Sequence, residues 1–455
     1  GLGPRYLAGM RTNKKNGAAP VGAAAAGSPP GSPRAGAKPL VDARMATFMG
    51  AMILANVGGM MFFPILPLYL RELDAGVDDI GLFFTLSMIM PLAMQITGGW
   101  LSDRIGRLRS IAIGSVAGML GWIGTILAPT WGWLLVGQVV GAVSGAFVSP
   151  SFDAYIAERS DEKNRAKVYG VTNTLFQVVS VVGPLAGGLA ARFLGWRSLI
   201  WIAASLYFAA TLIRLAMARE ASRSGETQGD GEVSLKSFGV SLRTMLTLAV
   251  SGGVITWLLL SDGVRDIAFG LSGNLLPLFL QEHRGLDVAA IGLLNSLSGV
   301  ASMLVMIPAG HFADKAGERW AIAAGYATAF VALMLLILFP SPWTAGASFV
   351  AFGFAMGMLQ PAYQSLISKA VPENLRGIAF GFLSTSNGLV ALPAPWLGAM
   401  LWKGVAPVAP FWVTAAAALL IIPPVLAKFR IAKAGSEGAA GGGGAASATA
   451  VAASD

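Results

Sequence analysis

The feature that most constrains this chain is a succession of apolar runs, each about as long as a bilayer is thick. Bounded by charges, Pro or Gly, they cover approximately residues 45–70, 80–101, 108–128, 132–156, 168–192 and 197–218. After a polar break they resume at 253–280, 288–310, 318–339, 343–367, 377–401 and 408–428. A membrane-spanning helix needs roughly 20 mostly apolar residues. Lipid offers the backbone no hydrogen-bond partner, so runs of this kind must be helical. Of the 455 residues, 55% are apolar and only 12% charged, more apolar material than one soluble core can bury. The expected fold is an all-α polytopic membrane protein with twelve transmembrane helices in two six-helix bundles.

The flanks read differently. Residues 1–44 are rich in Ala, Gly, Pro and Ser and lack the apolar core of a secretory signal, so they are expected to form a disordered cytoplasmic tail, and residues 431–455 likewise. Between lie an N-terminal bundle (45–218), a cytoplasmic linker (219–252) whose mixed stretch 235–248 suits the membrane surface, and a C-terminal bundle (253–430). With both termini on one side, the tails and loops of that side hold 26 Lys and Arg against 5 opposite, Arg265 being taken as the single in-span base. That asymmetry puts both termini in the cytoplasm of a bacterial-type inner membrane. It also accounts for the net charge of +9 without nucleic acid as a partner. The chain has no cysteine, and its two histidines, His283 and His311, lack ligand spacing, so neither a metal centre nor a catalytic site is expected.

The two sets of six repeat each other. Gly99, Asp103 and Gly106 return as Gly310, Asp314 and Gly317, a shift of 211. The same shift pairs Pro150 with Pro361, Arg165 with Arg376, Gly170 with Gly381, Pro184 with Pro395 and Gly187 with Gly398, and Pro67 pairs with Pro277 at 210. One offset held over Gly, Pro, Asp and Arg positions marks two homologous halves.

On these residues the chain resembles the major facilitator superfamily, from about Arg44 to Arg430. The family's G-x-x-x-D-R-x-G-R motif between spans two and three stands here as Gly99, Asp103, Arg104, Gly106 and Arg107, and its second-half copy carries Glu318 in place of Arg107. The glycines permit a tight reversal and the bases hold the loop inside. The resemblance implies a conformational latch between bundles, formed by these residues with Asp314. The plainer alternative is a set of inside-positive anchors. Asp153, near the inner end of span four, belongs to the same group. A carboxylate just inside the membrane needs a partner, and Arg107 or Arg104 is expected to supply it, the alternative being exposure to cytoplasmic water. In span five, Gly183, Pro184, Gly187 and Gly188 are similar to the G-P-x-x-G-G signature of proton-coupled drug antiporters. Proline bends the helix and the glycines admit a close neighbour. The pattern is partial, since Val179 stands where a further glycine is expected. Related exporters often carry an arginine in span four in a pattern R-x-x-Q-G; this chain reads Gly137, Gln138, Val139, Val140, Gly141 there and lacks the arginine.

Nearly all carboxylates fall in loops. Within spans, Asp262, Arg265 and Asp266 share one helical face at i, i+3, i+4. Each charge left unpaired would cost roughly 2.5–3.5 kcal/mol at the helix centre. Arg265 neutralises one aspartate and leaves the other free to exchange a proton, if the face meets a central cavity. The alternative is a structural ion pair near the cytoplasmic edge. Further cavity candidates are Asn56, which the repeat matches to Asp266, with Gln138, Asn173, Phe176, Gln177, Asn274, Asn295, Gln360, Tyr363 and Asn387. The run Met60, Met61, Phe62, Phe63 suits a pliable apolar wall. The resemblance implies a transporter that works by alternating access, as a monomer, on hydrophobic or amphiphilic small molecules. The leading expectation is efflux by proton antiport, with the proton gradient as energy source and no cofactor. The alternative is uptake or facilitated movement of a metabolite, lipid or organic anion.

Overall fold

The structure is a computed structural model, which describes residues 42–160, 164–224, 254–370 and 376–429. The side chains of 95–104, 165–166, 254–255, 370, 376–382 and 384 are left out of that description. The surface-helix reading of 235–248 and both tail readings lie outside the described residues. The spans are α1 (Ala43–Glu72), α2 (Val77–Ile105), α3 (Arg107–Leu127) and α4 (Trp131–Arg159). A single helical stretch, Arg165–Arg223, is divided by Gly195 (φ 83°) into α5 (165–194) and α6 (196–223). The second half comprises α7 (Val254–Gly273, continuing as Leu276–Arg284), α8 (Val288–Ala316), α9 (Glu318–Leu338), α10 (Pro342–Ala370), α11 (Arg376–Ala391, continuing as Ala394–Gly404) and α12 (Ala409–Lys428). Helix α6 runs five residues past the expected end of span six, Arg219 to Arg223, because its polar last turn continues the helix out of the apolar layer.

Three spans are interrupted where proline removes a backbone donor. Helix α1 tightens to a 3-10 turn at Phe63–Ile65, around Pro64. Helix α7 breaks at residues 274–275, just before Pro277, and α11 at 392–393, before Pro395. Pro184 occupies the repeat position of Pro395, yet α5 passes through it unbroken, because α11 carries a second proline, Pro393, and α5 does not.

The face bearing the α2–α3 and α8–α9 turns is here called the basic face. Both turns rest on glycines 211 residues apart, Gly106 (φ 89°, ψ 146°) and Gly317 (φ 99°, ψ 147°). This conformation is open to glycine and strained for other residues. Each half is drawn together by equivalent close crossings. A Cβ at Gly187 of α5 would run into the Met61 carbonyl oxygen of α1, and one at Gly398 of α11 into the Leu271 carbonyl oxygen of α7. Between halves the packing is α5 on α8 and α2 on α11. Gly187→Ala or Gly398→Ala is expected to destabilise the folded protein by about 1–3 kcal/mol through overpacking against backbone. Gly310→Ala, which meets open space, is expected to be neutral or slightly stabilising. Thermal unfolding in detergent checks the contrast.

Candidate functional site

The α7 charges form one cluster. Arg265 Nη1 lies 2.9 Å from Asp262 Oδ1, while Nε donates to Asp266 Oδ1 at 2.9 Å and Nη2 stands at the same distance from it. Two aromatic residues from other helices enclose the arginine. Its guanidinium carbon sits 5.2 Å from the ring centroid of Tyr363 of α10, and the Tyr363 hydroxyl is 2.9 Å from that of Tyr326 of α9. Side-chain exposure is graded, 7% at Asp262, 25% at Arg265 and 32% at Asp266, so the arginine bridges an interior carboxylate to a more accessible one. With both aspartates ionised the cluster carries one net negative charge. Removing the arginine would leave a buried carboxylate uncompensated, which is the costly arrangement. Helix α7 is described from Val254, so Asp262 lies roughly 12 Å along the helix axis from that residue.

A cavity of about 170 Å³ lies where α1 and α7 break. Phe63, Pro64 and Pro67 line one side, with Asn274, Asn295 and Phe349 among the residues opposite. Asn295 donates to the Ile291 carbonyl at 2.9 Å, which leaves its amide oxygen as an acceptor. The other amides and aromatics named from sequence are dispersed. Asn56 donates to the Met52 carbonyl at 2.8 Å, and Gln177 Nε2 meets Met306 Sδ of the other half at 3.7 Å. Phe176 packs edge-on against Phe152 at 5.6 Å, and Asn387 is buried. Gln138 is half-buried, and Asn173 and Gln360 are exposed. In the Met60–Phe63 run, Phe63 reaches the cavity whereas Met61 and Phe62 are buried in the core.

At the basic face, Arg107 Nε donates to Glu158 Oε1 at 3.0 Å, tying the start of α3 to the end of α4. Of the two partners expected for Asp153, Arg107 is therefore corrected to a partner of Glu158, and the Arg104 side chain is not among those described. The Asp153 side chain is exposed, and its backbone carbonyl accepts from the Tyr169 hydroxyl at 2.8 Å. The reason is helical phase, since Glu158 lies five residues beyond Asp153 and closer to the turn. Asp103, Arg104 and Gly99 are among the residues whose side chains are not described, and Asp314 is exposed. In the second half Glu318, buried, pairs with Lys369 and accepts from the Ser365 hydroxyl at 2.9 Å. Arg107 and Glu318 are repeat equivalents, as are Glu158 and Lys369. The strut is therefore conserved between halves with its charges inverted.

In span five, Gly183 packs on Met60 and Gly187 on Met61, both within the first half, whereas Gly188 faces α8 of the second. Sequence reasoning missed a second buried base. Arg214, grouped above with the loop after span six, is 3% exposed inside the first half. Its Nη1 donates to Ser115 Oγ at 3.0 Å and its Nη2 to the Ala51 carbonyl at 3.2 Å, with the Tyr207 ring 5.9 Å away. Its place four residues inside the apolar run was the available signal. Tyr326, the outer partner of the α7 cluster, carried none, because only the fold brings α9 to α7.

A family model described as Major Facilitator Superfamily matches residues 48–264 and 258–452. The chain belongs to that superfamily. Among curated relatives, Tetracycline resistance protein, class C, of Escherichia coli is 26% identical over 400 residues, 84% of this chain and 96% of that protein. Multidrug resistance protein MdtG of Citrobacter koseri is 26% identical over 371 residues, 79% of this chain and 88% of that one. Among solved structures, a bacterial homologue of iron transporter ferroportin in inward-facing state superposes with TM-score 0.69 at 14% identity, covering 84% of this chain and 98% of that one. The D-xylose-proton symporter does so with TM-score 0.66 at 15% identity, covering 85% and 97%. The superfamily's two-bundle transporter fold is thus shared, and the chain is an integral membrane transporter. For the basic-face strut, Arg107→Glu is expected to cost about 1 kcal/mol, and adding Glu158→Arg to recover most of it, as the second half already demonstrates with Glu318 and Lys369. A double-mutant cycle read by thermal unfolding measures the coupling.

Proposed function

We propose that this protein exports hydrophobic or amphiphilic small molecules by alternating access, in exchange for protons, with its basic face toward the cytoplasm of a bacterial-type inner membrane. The observation that carries this reading is the graded cluster of α7, in which one arginine bridges the interior Asp262 to the more accessible Asp266. Arg265 stabilises a single negative charge shared across two carboxylates. Protonating one aspartate loosens its hold on the guanidinium and lets Arg265 lean wholly on the other, and loss of the proton reverses this. A proton taken on one side and released on the other is the elementary event of antiport. Nε, Nη1 and Nη2 of Arg265 each already face a carboxylate, which argues against the rival role of a substrate-anion site.

The cavity at the α1 and α7 breaks supports the substrate class. Its walls are mainly proline, phenylalanine and aliphatic residues, with the Asn274 and Asn295 amides as fixed polar points. At about 170 Å³ it suits one ring or end group rather than a whole drug-sized molecule, since an engineered 150 Å³ cavity holds benzene. The relatives named for tetracycline resistance and multidrug resistance fit this chemistry. The protein acts as a monomer with no cofactor, and the Gly183, Pro184, Gly187 and Gly188 stretch supplies the close helix packing that a rocking bundle needs.

The test is proton movement in proteoliposomes under an imposed pH gradient, with lipophilic cations added as substrates. Wild-type protein is expected to show substrate-triggered proton flux. Asp262→Asn and Asp266→Asn are expected to lower it at least about tenfold while the protein stays folded. Substrate movement without proton flux, unchanged in both variants, would reduce the α7 cluster to a structural element and favour facilitated transport.

A further inference from the structure

Two tyrosine hydroxyls border the α7 cluster, and the pairing of its charges makes no use of them. Tyr326 of α9 is fully buried and Tyr363 of α10 is 6% exposed, both among apolar neighbours of the second half. A hydroxyl in such a place needs a hydrogen-bond partner. These two find one another at 2.9 Å, with their rings perpendicular and 6.5 Å apart. Each also meets one charged group of α7, since Tyr363 is hydrogen-bonded to Asp262 and Tyr326 to Arg265.

Donor and acceptor counting fixes the direction of every one of these bonds. A guanidinium only donates, an ionised carboxylate only accepts, and a tyrosine hydroxyl has a single hydrogen to give. With Asp262 ionised, Tyr363 must donate its hydrogen to the carboxylate. Tyr363 therefore accepts from Tyr326, and Tyr326 accepts from Arg265. The bonds run from Arg265 through Tyr326 and Tyr363 to Asp262, and the 2.9 Å ion pair between Arg265 Nη1 and Asp262 Oδ1 closes the ring. Each bond in such a chain polarises the next. Asp266, the other charged group facing the arginine, lies outside the ring, held by Arg265 Nε and Nη2. The repeat sets these residues apart as a unit. At the offset of 210 that relates α1 to α7, Met52 and Ala55 stand where α7 has Asp262 and Arg265, and at 211 Ser115 and Phe152 stand where α9 and α10 have the tyrosines. The first half has neither the carboxylate, the arginine nor either phenol at these positions.

We propose that Tyr363 is the positioning residue that makes Asp262 give up its proton, with Tyr326 acting through it, so that the seating of α10 and α9 against α7 decides the protonation of that carboxylate. The inference rests on α7 being the proton-exchanging helix and names the groups that govern the exchange. With α10 seated as in this structure, the Tyr363 hydroxyl stabilises the ionised aspartate. The hydroxyls keep their own hydrogens, and the proton that leaves the carboxyl passes to solvent on the side of Asp266, the more exposed of the two acids. When α10 draws back, the carboxylate loses that donor, and an ionised group short of a hydrogen bond in an apolar interior takes up a proton. The linkage is reciprocal, so a proton on Asp262 weakens the hold of α10 on α7 by the same factor. Helix movement and proton exchange are thereby joined at one hydroxyl.

The test reads the carboxyl itself and does not depend on transport. Infrared difference spectra between two pH values, taken on the full chain in nanodiscs, are expected to show the C=O stretch of a neutral aspartate that Asp262→Asn abolishes. Tyr363→Phe keeps the ring that stacks on the guanidinium at 5.2 Å and deletes only the oxygen. It is expected to raise the ratio of neutral to ionised Asp262 at a given pH by about tenfold, the worth of one hydrogen bond to a charged group. Tyr326→Phe is expected to act in the same direction by a smaller factor, and to add nothing once Tyr363→Phe is present. A role confined to packing would move neither titration. In the unsubstituted chain carrying isotope-labelled tyrosine, phenol C–O bands are expected to shift with the same midpoint as the carboxyl band, a measurement that needs no variant to fold. A carboxyl titration that Tyr363→Phe leaves in place, tyrosine effects that multiply, or phenol bands that do not follow the carboxyl overturn the proposal. A titrating band lost in Asp266→Asn and kept in Asp262→Asn overturns it too, and leaves proton antiport standing. Absence of any titrating carboxyl on α7 overturns both.

Discussion

No water is at hand inside a bilayer to satisfy a backbone N–H or C=O, so each group must find its partner within the protein. The rest of the structure follows from how the chain meets that demand and where it does not. Helices of about six to eight turns meet it almost everywhere. Proline at 64, 277 and 395 forbids it locally, and α1, α7 and α11 respond by breaking or tightening. Irregular backbone at membrane depth is tolerated only where protein or a cavity surrounds it. The α1 and α7 breaks line a cavity of about 170 Å³, with two asparagines beside the interruption. The residues that spoil regular helix thus also create a place where a polar group can be received.

Duplication imposes the second constraint, and it acts on shape more strongly than on charge. Backbone contacts are kept at equivalent positions in both halves, Gly187 on Met61 and Gly398 on Leu271, and the turns at Gly106 and Gly317 share nearly the same dihedral angles. Charge is free to vary wherever it is solved locally. The Arg107–Glu158 strut inverts to Glu318–Lys369 because either polarity neutralises the pair. The α7 cluster diverges further. Tyr326 and Tyr363, which enclose Arg265, correspond to Ser115 and Phe152 in the first half, and there Arg214 enters from α6 to bond Ser115 instead. Both halves bury an arginine, reached from different helices and satisfied by different groups.

Much of this was legible in the sequence. Run length defined the spans, the 211-residue offset defined the two halves, and the motif glycines marked turns that the backbone confirms at Gly106 and Gly317. The i, i+3, i+4 spacing put Asp262, Arg265 and Asp266 on one face, and they do meet. Helical periodicity gives a face but not the neighbour it faces. Tyr326 could not be connected to Arg265, nor Glu158 chosen over Asp153, because each choice depends on how separate helices are placed and rotated. Arg214 was misplaced for a different reason: counting bases by loop assumes that an arginine near a helix end reaches water, and this one turns inward to a serine and a carbonyl.

The two kinds of symmetry have a consequence for coupling. Among the described residues Arg214 has no carboxylate partner, so the first half buries a cation that stays charged, while the second buries an arginine between two acids and can change its charge by one. On the proposed function, only the second half responds to protonation, although the α5–α8 and α2–α11 contacts joining the halves are equivalent. Symmetric contacts cannot by themselves distinguish a loaded from an unloaded transporter. The signal must pass from α7 into them unequally, and α8 offers the route. Its Ile291 and Asn295 line the cavity shared with α7, while Gly292 and Ser296, adjacent in sequence, form the α5 contact. Helix α2, the equivalent element of the other contact, is absent from the cavity lining. On the proposed function, a substrate group in the cavity or a shift of α7 therefore bears more directly on the α5–α8 contact between the halves than on the α2–α11 contact.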